Sequence, residues 1–279
     1  MNILLTGANG FLGREFIRLF QETEYNLLAT NRNSLDVSNT AEVDRFFANN
    51  KVDIVLHTAF VGVKKSAENS LEALITNLDM HRNLCKHASK FKLMFSFGSG
   101  ASFDREQPID NICESEITNR HPADFYGLAK NIIARHIAQH NGNIINLRLF
   151  GCFGPLEENT RLIKNSITRA SHKEDIIISE DKTMDFFYVD DLFRVIRFYI
   201  HNHSEELPKD VNMTYEEKYT LLDIGKQIKN LTHSNINVIL KKKAQAPPYT
   251  GSSTTIASLD LKTTGLERGI REVYEFHRR

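Results

Sequence analysis

Apolar residues along this chain fall into short unbroken runs, separated by longer stretches in which they recur every three or four positions. The runs at 2–6, 26–30, 53–57, 93–97 and 143–149 have strand length and read as β-strands. Between them, Leu12, Phe16, Leu19 and Phe20 share one helical face, and Val43, Phe46 and Phe47 share another. Longer helical tracts fill roughly 70–88 and 125–139. Strand and helix therefore alternate. The continuous Ile54-Val55-Leu56 suits a strand covered on both faces, as in a parallel sheet. With right-handed crossovers, the pattern predicts an α/β fold, a doubly wound parallel sheet whose ligand edge lies at the carboxyl ends of its strands.

The regularity loosens after about residue 148, where Gly151, Gly154 and Pro155 interrupt. A helix near 159–171, a short strand near 175–178 and a helix from Asp190 follow. Pro247-Pro248 and Gly251-Ser252-Ser253 mark turns, and a last amphipathic helix falls near 269–276. The Lys241–Lys243 run reads as a solvated strand end. These features predict a dinucleotide-type domain over 1–150, rejoined by about 186–212, and a smaller α/β lobe for substrate from 151–185 and 213–279.

Composition narrows the partners. The 279 residues are 41% hydrophobic, enough to bury a full core. Lys plus Arg (35) equals Asp plus Glu (35), so no net field draws the chain to nucleic acid or an anionic membrane, and a small-molecule partner is expected. Cys85, Cys113 and Cys152 show neither a CxxC pair nor metal-type spacing with histidines. They read as reduced thiols of a cytoplasmic protein, and no metal set is expected. The N-terminal run, Ile3 to Leu5, lacks a basic flank and a cleavage site. No stretch approaches the roughly 18 apolar residues of a membrane span.

Three segments carry candidate chemistry. Thr6 to Gly13 reads TGANGFLG and sits between the first strand and the first helix. There Gly7 permits a tight turn, Gly10 lets the backbone approach a pyrophosphate, and Gly13 lets the helix pack closely. Tyr126 and Lys130, in YGLAK, are four residues apart on a predicted helix and stack on one face. An ammonium so placed favours the phenolate and brings the tyrosine toward the range of a general acid/base. The third segment, FGSGASFD (Phe97 to Asp104), follows the fourth strand and sets Ser99 at the ligand edge, where its hydroxyl can stabilise a developing alkoxide. Ser96 and Ser102 compete for that role.

Together these segments resemble the extended short-chain dehydrogenase/reductase superfamily, in its NAD(P)-dependent nucleotide-sugar epimerase, dehydratase and reductase branch, which is built on a Rossmann-type sheet. The resemblance covers nearly the whole chain. It includes TGANGFLG, Asp36-Val37 at the place of the adenine-holding pair, HTA (57–59), and Asn77 in the helix after the third strand. It continues with Ser99 four before Phe103, YGLAK, RLFGCFGP (148–155), DFFYVDDL (185–192) and GLERGIREVYEF (265–276). It implies a proton relay of Ser99, Tyr126 and Lys130, with Lys130 also holding the nicotinamide ribose. It further implies dinucleotide contacts from Gly7, Asn9, Gly10, Phe11, Leu12, Gly13, Arg32, Asp36, Val37, Thr58, Ala59 and Asn77. A homodimer through the Tyr126 helix and the helix before it is common in the family.

The second strand ends Thr30-Asn31-Arg32-Asn33, with no acid to hold a ribose 2′-hydroxyl. Arg32 can pair with a 2′-phosphate, which favours NADP(H) over NAD. Otherwise Asp36 does the ribose work. Relatives that dehydrate the sugar need an Asp-Glu pair beside the catalytic hydroxyl, and the matching stretch here is Ser99-Gly100-Ala101. GDP-fucose synthase, similar here in the region Arg32 to Asp36 and the FGS turn, epimerises with a cysteine where this chain has Ala101. No histidine stands in 156–171 to serve as its partner acid. The resemblance thus implies a reductase of a nucleotide-linked 4-keto-6-deoxy sugar feeding surface polysaccharide. The alternatives are a 4-epimerase with tightly held NAD and a non-catalytic dinucleotide sensor. The family's asparagine is Gly151 here, and its diphosphate arginine is Met184. Arg161, Lys164, Lys182, Lys64 and Lys65 are candidate replacements, with Ser99 and Gly100 as further substrate contacts.

Overall fold

The computed structural model describes residues 1–62, 70–139, 142–233 and 235–278; Lys64 and Lys65 lie outside the described residues. In chain order the elements are β1 (Asn2–Thr6), α1 (Phe11–Phe20), β2 (Asn26–Thr30), α2 (Thr40–Asn49), β3 (Ile54–His57), α3 (Leu71–Cys85), β4 (Leu93–Ser99) and β5 (Ile109–Ile112). There follow α4 (Phe125–Gln139), β6 (Ile144–Leu149), β7 (Cys152–Phe153), α5 (Leu162–Ser171), β8 (Ile176–Asp181), β9 (Phe187–Tyr188), α6 (Val189–His201) and β10 (Asp210–Met213). The chain closes with α7 (Leu221–Thr232), β11 (Val238–Gln245), β12 (Tyr249–Gly251), α8 (Thr254–Ala257) and α9 (Leu266–Phe276). Among the described residues no helix is long and apolar enough to cross a membrane.

The chain divides into two units. The first comprises Met1–Gln107, Glu114–Arg148 and Val195–Val211. Its six-stranded sheet has the order β10-β6-β4-β3-β1-β2. Ile3 pairs with both Leu27 and Ile54, and Leu56 pairs with Phe95, all in parallel register. The chain leaves β1 for β2 on one side and returns as β3 on the other. That reversal makes the carboxyl ends of β1 and β3 the switch point where ligands of such sheets bind. Ile3, Leu4, Leu5, Ile54, Val55 and Leu56 are fully buried, as strands covered by helices on both faces require.

Side chains at the helix ends explain where the helices start. Asn39 caps α2, accepting from the Ala41 and Glu42 amides, and Ser70 caps α3, accepting from the Ala73 amide. Gly10 caps α1 with no side-chain bond, and no acid stands in that first turn. The α1 N-terminus therefore keeps amides and a positive dipole end available to an anion.

Arg148, fully buried near the end of β6, donates to Asp210 at 2.6 Å, and its guanidinium lies 4.5 Å from the centre of the Phe103 ring. Asn146 donates to the same carboxylate at 2.7 Å. An acid at the start of β10 thus neutralises an arginine that would otherwise be a buried lone charge.

The second unit comprises Pro108–Cys113, Leu149–Arg194 and Asn212–Arg279. Its strands pair two by two, β8 with β11, β5 with β12 and β7 with β9, each in parallel. The lysine run 241–243, read from sequence as a strand end, lies within β11 with its side chains exposed. The strand expected at 175–178 runs to Asp181, and the helix expected from 159 begins at Leu162. Thr220 and Asp223 form a capping box that starts α7. Asp191, fully buried, accepts from the Tyr215 hydroxyl at 2.6 Å and from the Thr264 and Gly265 amides at 2.7 and 3.0 Å, fixing the approach to α9.

Candidate active site

The loop between β1 and α1 is shaped by what its glycines lack. Gly7 has φ +73°, and a Cβ there would stand 2.6 Å from the Ala59 amide nitrogen. A Cβ on Gly13 would meet the Gly7 carbonyl oxygen at 2.3 Å, so only glycine lets α1 start this close to the turn. Gly10 has more room, its nearest atom at 3.3 Å, and is exposed with Asn9. The loop is tied to β2 through Ala8, whose amide donates to the Thr30 carbonyl at 2.9 Å. Thr58 donates to the Thr6 carbonyl at 2.6 Å. The HTA segment therefore runs under the glycine turn, leaving the α1 amides open above it.

His57 is buried against Thr6, Nδ1 to Oγ1 at 2.9 Å. Burial, reinforced by the charges of His81 and Lys130, pushes its pKa down to about 3. It is therefore a neutral hydrogen-bonding group in working conditions, not an acid.

Beyond β2, Arg32 is 79% exposed and stands 3.6 Å from Asp36. Asp36 accepts from the Ser38 hydroxyl at 2.6 Å and the Ser38 amide at 3.0 Å, and these bonds, with Arg32 nearby, hold its carboxyl below the usual range. Arg32 reaches into solvent from its pairing with Asp36, whose Oδ1 is taken up by Ser38. Val37 is buried in the core with Leu35. Asn77, expected among the dinucleotide contacts, is buried. Its amide accepts from the Val61 N–H and donates to the Val61 carbonyl, both at 2.9 Å. With its amide bonded at both ends to one backbone unit, Asn77 shapes the segment after β3.

Ser99 lies on the last residue of β4, two residues beyond the strand end read from sequence, and caps a short 3₁₀ turn, accepting from the Ala101 amide at 3.2 Å. Of its competitors, Ser96 is buried in the strand and the Ser102 hydroxyl is fully buried. Helix α4 starts against this turn. A Cβ on Gly127 would lie 2.7 Å from the Ala101 carbonyl oxygen, so YGLAK needs its glycine to bring Tyr126 up to the Ser99 turn. Asp124 accepts from the Gly127 amide at 2.8 Å and pairs with Arg105 at 2.9 Å, anchoring the helix start. Asn131, fully buried, donates to the carbonyls of Ser102, Ile117 and Arg120 at 2.9 to 3.1 Å. Nothing in the motif reading pointed to Asn131 or Asp124, yet they weld the turn to the helix.

Tyr126 packs edge-on against Phe60, ring centres 5.3 Å apart. Lys130 puts its ammonium 3.6 Å over the same Phe60 ring and donates to the Phe97 carbonyl at 2.6 Å. Burial pushes the lysine pKa down to about 7. One aromatic ring thus aligns the phenol and the ammonium, and β4 supplies the carbonyl that orients the latter.

The candidate phosphate ligands of the second unit separate. Lys164 is buried, donates to the Pro155 carbonyl at 3.3 Å and contacts His277. Turned inward, it braces the end of α9. Arg161 is exposed at the N-terminus of α5, and Lys182 stands 5.3 Å from the centre of the Tyr249 ring. At the place beside Met184, Lys218 pairs with the buried Asp185 at 2.9 Å.

The sequence family described as NAD dependent epimerase/dehydratase matches residues 3–214. GDP-L-colitose synthase of Yersinia pseudotuberculosis is 23% identical over 252 residues, 82% of this chain and 81% of that protein. Among solved structures, a GDP-D-glycero-L-gluco-heptose synthase from Campylobacter jejuni in the presence of NADPH superposes with TM-score 0.82 at 19% identity, covering 99% of this chain and 97% of the other. A GDP-mannoheptose C4 reductase from Campylobacter jejuni with NADP bound gives TM-score 0.81 at 19% identity, covering 100% and 98%.

Proposed function

The chain belongs to the NAD dependent epimerase/dehydratase family, and on that premise we propose that it reduces the C4 carbonyl of a nucleotide-linked 4-keto-6-deoxy sugar with NADPH. The observation that carries this reading is a complete Ser99, Tyr126 and Lys130 set with Ala101 buried beside it. That place offers no second acid or base for removing a C–H proton or expelling water. The names of the relatives above support a guanosine diphosphate carrier.

The glycine loop and the α1 N-terminus would hold the pyrophosphate, Asp36 and Val37 the adenine, Arg32 the 2′-phosphate and Lys130 the nicotinamide ribose. Bound there, the nicotinamide supplies the hydride that C4 receives. Ser99 donates a hydrogen bond to the C4 oxygen and steadies the negative charge growing on it. Tyr126 gives its phenolic proton to that oxygen, and solvent restores it. The Lys130 ammonium favours the phenolate and so lowers the cost of that transfer.

The purified protein should oxidise NADPH in step with loss of the carbonyl when given a panel of GDP-linked 4-keto-6-deoxyhexoses and their dTDP and UDP counterparts. Silence across the panel would remove the reading, and interconversion of saturated nucleotide sugars without NADPH consumption would replace it with epimerisation. Tyr126→Phe should lower kcat by about 100-fold or more while dinucleotide affinity survives. Arg32→Ala should erase the preference for NADPH over NADH.

A further inference from the structure

Helices α3 and α4 meet in the first unit, and three metal-ligating side chains come together where they do. His81 and Cys85 are one turn apart on α3 and project from the same face, while His136 comes from α4, six residues past Lys130. None of the three takes part in the chemistry above. His81 Nε2 lies 3.0 Å from His136 Nδ1 and 3.4 Å from Cys85 Sγ. Among the described residues this is the group of His, Cys and acidic side chains whose ligand atoms all fall within 4.8 Å of one another.

These spacings match a coordination polyhedron. Bonds of about 2.0 Å to nitrogen and about 2.3 Å to sulfur, at tetrahedral angles, separate ligand atoms by roughly 3.3 Å (N to N) and 3.6 Å (N to S). The observed separations differ by a few tenths of an ångström. Both short separations also converge on one nitrogen, which carries either a single hydrogen or a single lone pair. A hydrogen bond serves one of those approaches well, whereas a cation among the three atoms serves both. His81 is buried, Cys85 half-buried and His136 exposed in the single chain, so the group is open on one side, where an ion can enter and where water, or a facing copy of the chain, can complete its shell.

We propose that His81, Cys85 and His136 form a binding site for a divalent ion of the zinc class, with two imidazoles and one thiolate as protein ligands. The nitrogen and sulfur donors select against magnesium and calcium. On binding, the Cys85 thiol gives its proton to solvent, both imidazoles bind neutral, and nothing is oxidised or reduced. The ion pins α3 to α4, the helix that carries Tyr126 and Lys130. It therefore adds stability without entering the chemistry.

Chelator-stripped protein should take up one zinc ion per chain with a rise in melting temperature, and cobalt(II) should give a sulfur-to-metal charge-transfer band. Cys85→Ser should abolish the band, and both Cys85→Ser and His136→Gln should weaken zinc binding by more than about 100-fold, beyond the loss typical of outer-shell partners. Metal-free melting and NADPH affinity should stay near wild type in both, and Cys113→Ser should keep the band and the uptake. No stoichiometric uptake by the folded wild-type protein, or a band that survives Cys85→Ser, would overturn the site. If Cys85→Ser fails to fold, the exposed His136→Gln decides, since undiminished zinc affinity there would equally overturn it.

Discussion

Lys130 donates to the Phe97 carbonyl at 2.6 Å, and its own burial pushes its pKa down to about 7. The sign of the effect on chemistry follows. Below about pH 7 the side chain is an ammonium that favours the Tyr126 phenolate; above it the free enzyme loses that charge and the phenol reverts toward its ordinary acidity. Because kcat/KM reports ionisations of the free enzyme, the profile for carbonyl reduction should fall as the pH rises through a value near 7. A kcat/KM profile flat through neutrality and beyond would show that the lysine keeps its charge by other means, the Phe60 ring and the Phe97 carbonyl being the available ones. The YGLAK spacing pointed to the phenol and the ammonium, but not to Phe60. That ring comes from a segment some 65 residues upstream and owes its place to the β3–β4 pairing.

At the level of elements, the β1-to-α1 junction carries the sharpest constraint. A methyl on Gly13 would meet a backbone carbonyl oxygen at 2.3 Å, which neither partner can avoid without shifting the helix off the turn. Gly13→Ala should cost about 1–3 kcal/mol by denaturant unfolding and weaken NADPH binding as well, as overpacking against fixed backbone does. Gly10→Ala, whose new methyl would press on the Gly7 carbonyl oxygen at 3.3 Å, should cost less stability than Gly13→Ala and act chiefly on dinucleotide affinity. Equal unfolding curves for Gly13→Ala and wild type would contradict this account. The five strands and four helices up to residue 149 were legible because each carries a local apolar run or apolar face, even in β2, the edge strand, where only Thr30 is buried. The short strands β5, β7, β9 and β12 were not. They have two to four residues each, too few to show a period, and exist only because partners 35 to 140 residues away complete their hydrogen bonds.

For the whole molecule, balanced charge leaves apolar surface as the feature that invites association. Leu71 and Ile75 on α3 are 56% and 50% exposed, and Ile132 on α4 is 39% exposed. We propose that these helices pair with their copies in a homodimer, since exposed apolar residues grouped on neighbouring helices commonly mark an interface. Sedimentation should give twice the 32.0 kDa chain mass, and Ile75→Glu combined with Ile132→Glu should give the single chain. A wild-type protein that sediments as one chain at micromolar concentration would remove the dimer.

The sequence by itself determined the parallel sheet, the glycine turn and the family, and it named the residues of the relay proposed above, because each of these signals is carried by short local motifs. Tertiary structure alone decided which polar residues face outward to act and which face inward to brace. Asn77 and Lys164 look like ligands in the sequence and are buried supports, while Asn131 looks like filler and fastens the Ser99 turn to α4. His81 stands one turn before Cys85, a spacing the sequence reading passed over, and their third partner, His136, lies 51 residues beyond Cys85 and joins them only because α3 and α4 pack. A side chain's work depends on which atoms surround it, and that is set by long-range packing, to which local pattern is blind.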